Sequence, residues 1–263
     1  MPKTHPSPAP FHLGIALYDG VDMLDVVGPF EIFNWTKSSW KERELVVHML
    51  STTGRKVRTS SNSYLYATDR FSACPQLDLV FVPGGEPESV GRALNDTAFM
   101  GFLKAQVPGC RYVTSVCFGA LLLAGTGVLD GRVATTHWSA LSALALFPGV
   151  GLAPGYPRYY PDQPAAQERY VLTAGGISSG LDEALRIVAD ITGSAEIAQQ
   201  VQMSIQYHPQ PPFDAGDPAV APPAIADPGL VGSNAGVYEP LAKAIRRYQR
   251  RNGGGQPPTS SPT

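Results

Sequence analysis

Cysteine is scarce in this chain: Cys74, Cys110 and Cys117 are the three among 263 residues. Their spacing makes neither a metal-ligand pattern nor an even set for disulfides, which excludes a cystine-stapled scaffold and suits a reducing compartment with at most one reactive thiol. No metal and no cofactor is expected. Charge of one sign is also missing, since Lys plus Arg number 20 against 22 for Asp plus Glu. So balanced a chain has no field to draw it to nucleic acid or an anionic membrane, and a small molecule is the expected partner. No uninterrupted apolar run approaches the roughly eighteen residues needed to cross a bilayer. Met1-Pro2-Lys3-Thr4-His5-Pro6 offers no hydrophobic signal core either, so a cytoplasmic protein is expected.

What is present is a hydrophobic content of 43%, enough for a sizeable core in one large domain. Residues 1–10 are rich in Pro and Ser and residues 251–263 in Gly, Pro and Ser, which marks disordered tails around a single domain over 11–250. Inside it, short β-branched runs alternate with helical patterns. Strands are expected over residues 12–18, 45–51, 79–82, 112–116, 132–135 and 170–172, with a hairpin around 57–66. Helices are expected over 24–35, 97–106, 138–147, 180–191, 195–206 and 238–250. Strands buried on both faces and joined by helices imply an α/β sandwich of three layers around a mostly parallel sheet.

The pentad Ser115-Val116-Cys117-Phe118-Gly119 lies between a β-type run and the helix-type run Ala120-Leu121-Leu122-Leu123-Ala124. A nucleophile at a tight strand-to-helix turn needs small neighbours two residues away on each side, and Ser115 and Gly119 supply them. At a helix N-terminus, unpaired amides and the helix dipole favour thiolate over thiol. The competing reading is an inert buried cysteine.

Open parallel sheets bind ligands at the carboxyl ends of their strands. Pro83-Gly84-Gly85-Glu86, Thr135-Thr136-His137-Trp138 and Thr173-Ala174-Gly175-Gly176 all fall there beside the pentad. Gly84 and Gly85 permit backbone that aims amides at one point, making them oxyanion candidates with the amide of Phe118. Asp25, at the start of the first helix, is the candidate general acid/base. Helix capping competes for it, but Asp19 or Asp22 serves that purpose equally. His137 is open between a structural and a substrate-binding role. Asp182, at another helix start, is open between orienting the site and capping.

In ordered blocks the chain resembles the ThiJ/PfpI family, the cysteine-elbow branch of the class I glutamine amidotransferase-like superfamily. The blocks are Leu24-Asp25-Val26-Val27-Gly28-Pro29, Pro83-Gly84-Gly85, residues 112–117, Ala134-Thr135-Thr136-His137-Trp138, Gly175-Gly176-Ile177 and Pro211-Pro212-Phe213-Asp214-Ala215-Gly216. Within the family they are similar to the isonitrile-hydrating branch. The resemblance implies a flavodoxin-like sandwich, a homodimer, Cys117 as nucleophile, Asp25 as the essential acid, and hydration of an isonitrile to an N-substituted formamide. One position departs: Phe118 stands where that branch carries threonine.

Three other readings compete. A glyoxalase-like or deglycase-like activity on 2-oxoaldehydes would recruit His137 beside Cys117. A ligand or redox sensor would use Cys117 as an oxidisable thiol. The sensor half of AraC-type regulators is also similar, but the basic cluster Lys243, Arg246, Arg247, Arg250 and Arg251 reads as a solvated helix face rather than a DNA contact. In Gln206-Tyr207-His208-Pro209-Gln210 the glutamine at 210 cannot support a Cys-His-Glu triad, because it carries no charge to hold an imidazolium.

Overall fold

The computed structural model describes residues 8–162, 169–226 and 238–252. Its first half runs β1 (Phe11–Ala16), α1 (Met23–Ser39), β2 (Leu45–Ser51), β3 (Lys56–Arg58), β4 (Tyr64–Tyr66), β5 (Asp69–Arg70), β6 (Leu79–Val82), α2 (Pro87–Asn95), α3 (Thr97–Gln106), β7 (Tyr112–Ser115) and α4 (Gly119–Thr126). There follow β8 (Val133–Ala134), α5 (Leu141–Leu144), β9 (Gly151–Leu152), β10 (Tyr159–Asp162), β11 (Tyr170–Ala174), α6 (Ser179–Thr192), α7 (Ala195–Ser204) and α8 (Glu239–Asn252).

Seven strands form the main sheet in the order β10-β11-β7-β6-β1-β2-β5. All neighbours are parallel except β10, which runs antiparallel to β11. Every residue of β6 and β7 is buried, as expected for central strands covered on both faces. Helices α1, α6 and α7 pack together on one face, and α2, α3, α4 and α8 on the other. This is the three-layer α/β arrangement, and among the described residues no helix is long and apolar enough to cross a membrane. Val82 of β6 lies level with Ser115 of β7, so the loops that follow them open onto one rim.

The α2 helix was not evident from apolar periodicity, although Pro87 at its first turn is an N-terminal signal. The strand expected at 132–135 shrinks to β8 and pairs with β9 in a separate two-stranded sheet. Thr135 still reaches the main sheet, donating its amide to Thr173 Oγ1 at 2.8 Å. The helix expected over 138–147 is instead a 3-10 turn, Trp138–Ala140, followed by the single turn α5. The hairpin β3–β4 is where it was expected.

Helix α8 docks its apolar side, Leu241, Ala242, Ile245 and Tyr248, against the body. Its Arg246 pairs along the helix with Glu239. The helix continues through Arg251 and Asn252, into the stretch expected to be a tail. Residues 1–7 and 253–263, the rest of both expected tails, lie outside the described residues, as do 163–168.

Candidate active site

Cys117 sits in the turn between β7 and α4 with φ +58. A left-handed conformation at a non-glycine residue is worth roughly 1–2 kcal/mol of strain, and the surroundings hold it in place. The Cys117 amide donates to the carbonyls of Ala174 and Gly175, at 3.2 and 2.8 Å. Its carbonyl accepts the Thr136 hydroxyl at 2.7 Å. Gly119 is obligatory, since a Cβ there would stand 2.0 Å from the Val82 carbonyl oxygen. The expected strand-to-helix elbow is therefore present, and its strain is carried by the nucleophile candidate itself.

Asp22 caps α1, accepting from the amides of Leu24 and Asp25. That leaves the Asp25 side chain free to turn inward, where it is fully buried. Its Oδ2 accepts the Gly84 amide at 2.8 Å. A Cβ on Gly84 would come within 2.6 Å of the Phe118 amide nitrogen, 2.8 Å of Cys117 Cβ and 3.0 Å of Asp25 Oδ2. Asp25, Gly84, Cys117 and Phe118 thus meet at one point, and only a glycine fits among them. The Gly84 amide is however committed to Asp25 and is not free to serve as an oxyanion donor. Gly85 pairs instead with Val21 in a β-bridge, and a Cβ on it would stand 2.4 Å from the Gly20 carbonyl oxygen. The amides directed at the Cys117 sulfur are those of Phe118 and Ile177.

Electrostatics modifies the expectation of a ready thiolate. Burial first, then the adjacent Asp25 carboxyl, pushes the Cys117 thiol well above its ordinary range, and the Phe118 and Ile177 amides oppose this without prevailing. Burial likewise raises Asp25 from 3.8 to about 8, against the lowering effect of the Gly84 amide and the Cys117 side chain. Among the described residues Asp25 Oδ1 accepts no hydrogen bond, which leaves it as the oxygen to carry a proton. Carboxyl and thiol form a coupled pair that titrates as a unit.

This has a consequence for stability. A carboxyl whose pKa is higher folded than unfolded stabilises the fold fully below the unfolded value, and that contribution is lost as pH rises through the folded value. For Asp25 the window runs from 3.8 to about 8. Wild-type protein is expected to lose on the order of a few kcal/mol between pH 5 and 9, measured by urea unfolding. Asp25→Asn keeps an acceptor for the Gly84 amide but has no proton to lose, so it should flatten this dependence. Parallel pH profiles for the two proteins would contradict the assignment.

Glu183, on α6, lies fully buried beneath the elbow. It accepts a short hydrogen bond from the Thr114 hydroxyl, and the Ser115 amide also donates to it. Burial, its largest influence, raises its pKa well above the usual carboxylate range. Its neighbour Asp182, open in the sequence between orienting the site and capping, faces outward to pair with Arg158 and accept the Tyr207 hydroxyl. One residue along a helix turns a side chain by about 100°, enough to exchange the two. His208 is exposed on the segment after α7, in keeping with the rejection of a triad there.

Beside the elbow lies a cavity of about 630 Å³ whose walls include His137, Trp138, Tyr156, Arg158, Ile177 and Phe213. His137 stands edge-to-face to Phe118, centroids 5.7 Å apart, so the rim places it next to the residue after the cysteine. Ile177 and Thr136 carry no chemical signal in their side-chain types. Their parts are played by a backbone amide and by a buried hydroxyl holding the elbow. Among the described residues no group of three or more His, Cys, Asp or Glu side chains is placed to hold a metal.

The DJ-1/PfpI family matches residues 13–190. The chain is 35% identical over 215 residues to a Pseudomonas putida protein named isonitrile hydratase, covering 82% of this chain and 86% of that one. Its structure is similar to that of a ThiJ/PfpI family protein from Pseudomonas syringae, with TM-score 0.74, 26% identity, and coverage of 96% and 97% of the two chains. Drosophila melanogaster DJ-1beta shares the fold at TM-score 0.64 and 16% identity, over 76% of this chain and 100% of that one.

Proposed function

This chain belongs to the DJ-1/PfpI family, and on that premise we propose that it is a cofactor-free, cysteine-dependent lyase that hydrates an isonitrile to an N-substituted formamide. The observation that carries the reading is the contact of Asp25 with the strained Cys117, in a chain 35% identical over 215 residues to isonitrile hydratase. An isonitrile needs a nucleophile and a proton at the same terminal carbon, and a thiol and carboxyl sharing a proton supply both.

The thiolate attacks that carbon while Asp25 delivers its proton to it, giving a thioimidate on Cys117. Water then adds to the C=N bond. Asp25, now ionised, takes the water's proton and passes it to nitrogen. The tetrahedral adduct collapses as its hydroxyl proton returns to Asp25, the C–S bond breaks, and the formamide leaves. The amides of Phe118 and Ile177 steady charge on the sulfur in both thiolate states. Assembly as a homodimer belongs to the same proposal and rests on the family resemblance.

Phe118 tests the reading most sharply, because it stands where the isonitrile-hydrating branch has a hydroxyl. The ring stands edge-to-face to His137, which lines the cavity, so a change at 118 alters the space beside the cysteine and leaves the backbone amide in place. Across a panel of isonitriles and 2-oxoaldehydes, wild type is expected to form a formamide from some isonitrile, and Phe118→Thr to change which isonitrile is preferred. If wild type is inactive throughout and Phe118→Thr gains hydration, the chain has lost the reaction and a sensing role fits better. If both are inactive, the isonitrile reading is wrong.

A further inference from the structure

The cavity wall holds a histidine whose protonation pattern is set by its own turn. His137 opens the 3-10 turn Trp138–Ala140, and its Nδ1 accepts the Ser139 amide at 3.3 Å, with Ser139 Oγ at 2.8 Å from the same atom. With Nδ1 assigned as the acceptor of both groups, the neutral imidazole carries its proton on Nε2. Burial keeps the ring neutral, lowering its pKa to about 4.

Two contacts fix the plane of the ring. It stands at 86° to the Phe118 ring. Its Cδ2–Nε2 edge lies over Gly176, where a Cβ would approach to 2.6 Å of Cδ2 and 3.1 Å of Nε2. Gly176 thus has a reason of its own: any side chain there would displace the imidazole from the wall of the cavity.

We propose that His137 is a hydrogen-bond donor to the reacting group rather than a base, its Nε2–H binding the nitrogen lone pair of the thioimidate on Cys117. The proposal rests on the hydration reading above. A thioimidate is a weak electrophile for water, and a donor on its nitrogen draws electron density from the carbon under attack. As the water oxygen bonds to carbon, the C=N π pair moves onto nitrogen. The proton that nitrogen gains comes from that water through Asp25, and His137 keeps its own throughout. A neutral ring donates a hydrogen bond without giving up its proton, so the proton transfers stay with Asp25. The site therefore favours substrates whose covalent adduct carries an acceptor atom bonded directly to the electrophilic carbon.

His137→Phe removes the donor and keeps a ring in the wall, whereas His137→Gln restores an N–H near the Nε2 position. With benzyl isonitrile as probe, rapid quench and intact mass measurement should find the Cys117 adduct accumulating in His137→Phe. Its rate of formation should stay within about threefold of wild type while turnover falls by about 10². His137→Gln should recover turnover to within about tenfold of wild type, and the wild-type pH profile should show no ionisation between pH 5 and 8 that His137→Gln abolishes. In ¹⁵N NMR the resting imidazole should be protonated on Nε2 alone. Undiminished turnover in His137→Phe, a glutamine variant as slow as the phenylalanine one, an ionisation lost in His137→Gln, or a proton on Nδ1 would each overturn the donor role. Those results leave the hydration reading standing. A wild type that forms neither adduct nor formamide overturns that reading, and this role with it.

Discussion

Cys117→Ala will abolish formamide production, while Cys74→Ala and Cys110→Ala will leave turnover per folded molecule nearly intact. All three thiols are pushed upward by burial, Cys74 to about 11 and Cys110 to about 12, so acidity alone does not single out Cys117. What does is its setting: the left-handed elbow, the start of α4, the two amides directed at its sulfur and the adjacent proton on Asp25. Cys110 precedes β7 and therefore lies at the opposite end of the sheet from the rim. Cys74 is half-buried and directs its thiol to the Pro75 carbonyl. Without the sulfur no thioimidate forms, and loss of a covalent nucleophile reduces turnover by about 10³ or more. Formamide release, measured with circular dichroism to confirm folding, checks all three variants. Activity retained in Cys117→Ala would refute covalent catalysis.

Asp25→Asn is expected to lower turnover by about 10² or more, with substrate affinity far less affected. The asparagine oxygen still accepts the Gly84 amide, so the packing around Gly84, Cys117 and Phe118 is preserved. What disappears is the group that gives a proton to the isonitrile carbon and takes one from water. The wild-type rate should respond to an ionisation near the Asp25 value of about 8, and the variant should not. A variant that keeps wild-type turnover would leave Asp25 as a structural acceptor for Gly84 and move the proton transfer elsewhere.

Much of this was legible in the chain before folding. The strands of the sheet's centre are short apolar runs, and the rule that ligands gather at their carboxyl ends brought Asp25, Gly84, Cys117, Phe118 and His137 to one rim. The elbow was readable because its backbone demands small residues at fixed offsets, and the close approach of Gly119 to Val82 is the physical source of that demand. Other features left no trace in residue types. The Ile177 amide acts through backbone, which every residue possesses. The task of Gly84 follows from three neighbours distant in sequence. Glu183 and Asp182 differ by one helical step, and periodicity alone does not fix the phase of a helix start that closely. The balance at the thiol is illegible for a related reason: the helix N-terminus that favours thiolate is visible in sequence, whereas the burial that opposes it is a property of the assembled fold.

The claim at the centre of this account is a covalent intermediate on one thiol, and mass spectrometry of a rapidly quenched reaction tests it most directly. Peptide mapping of wild-type protein caught in turnover with an isonitrile should find the whole mass of that isonitrile added to the peptide containing Cys117, rising and decaying as formamide appears. Formamide produced while Cys117 remains unmodified at every time point, or mass added at Cys74 or Cys110 instead, would contradict it.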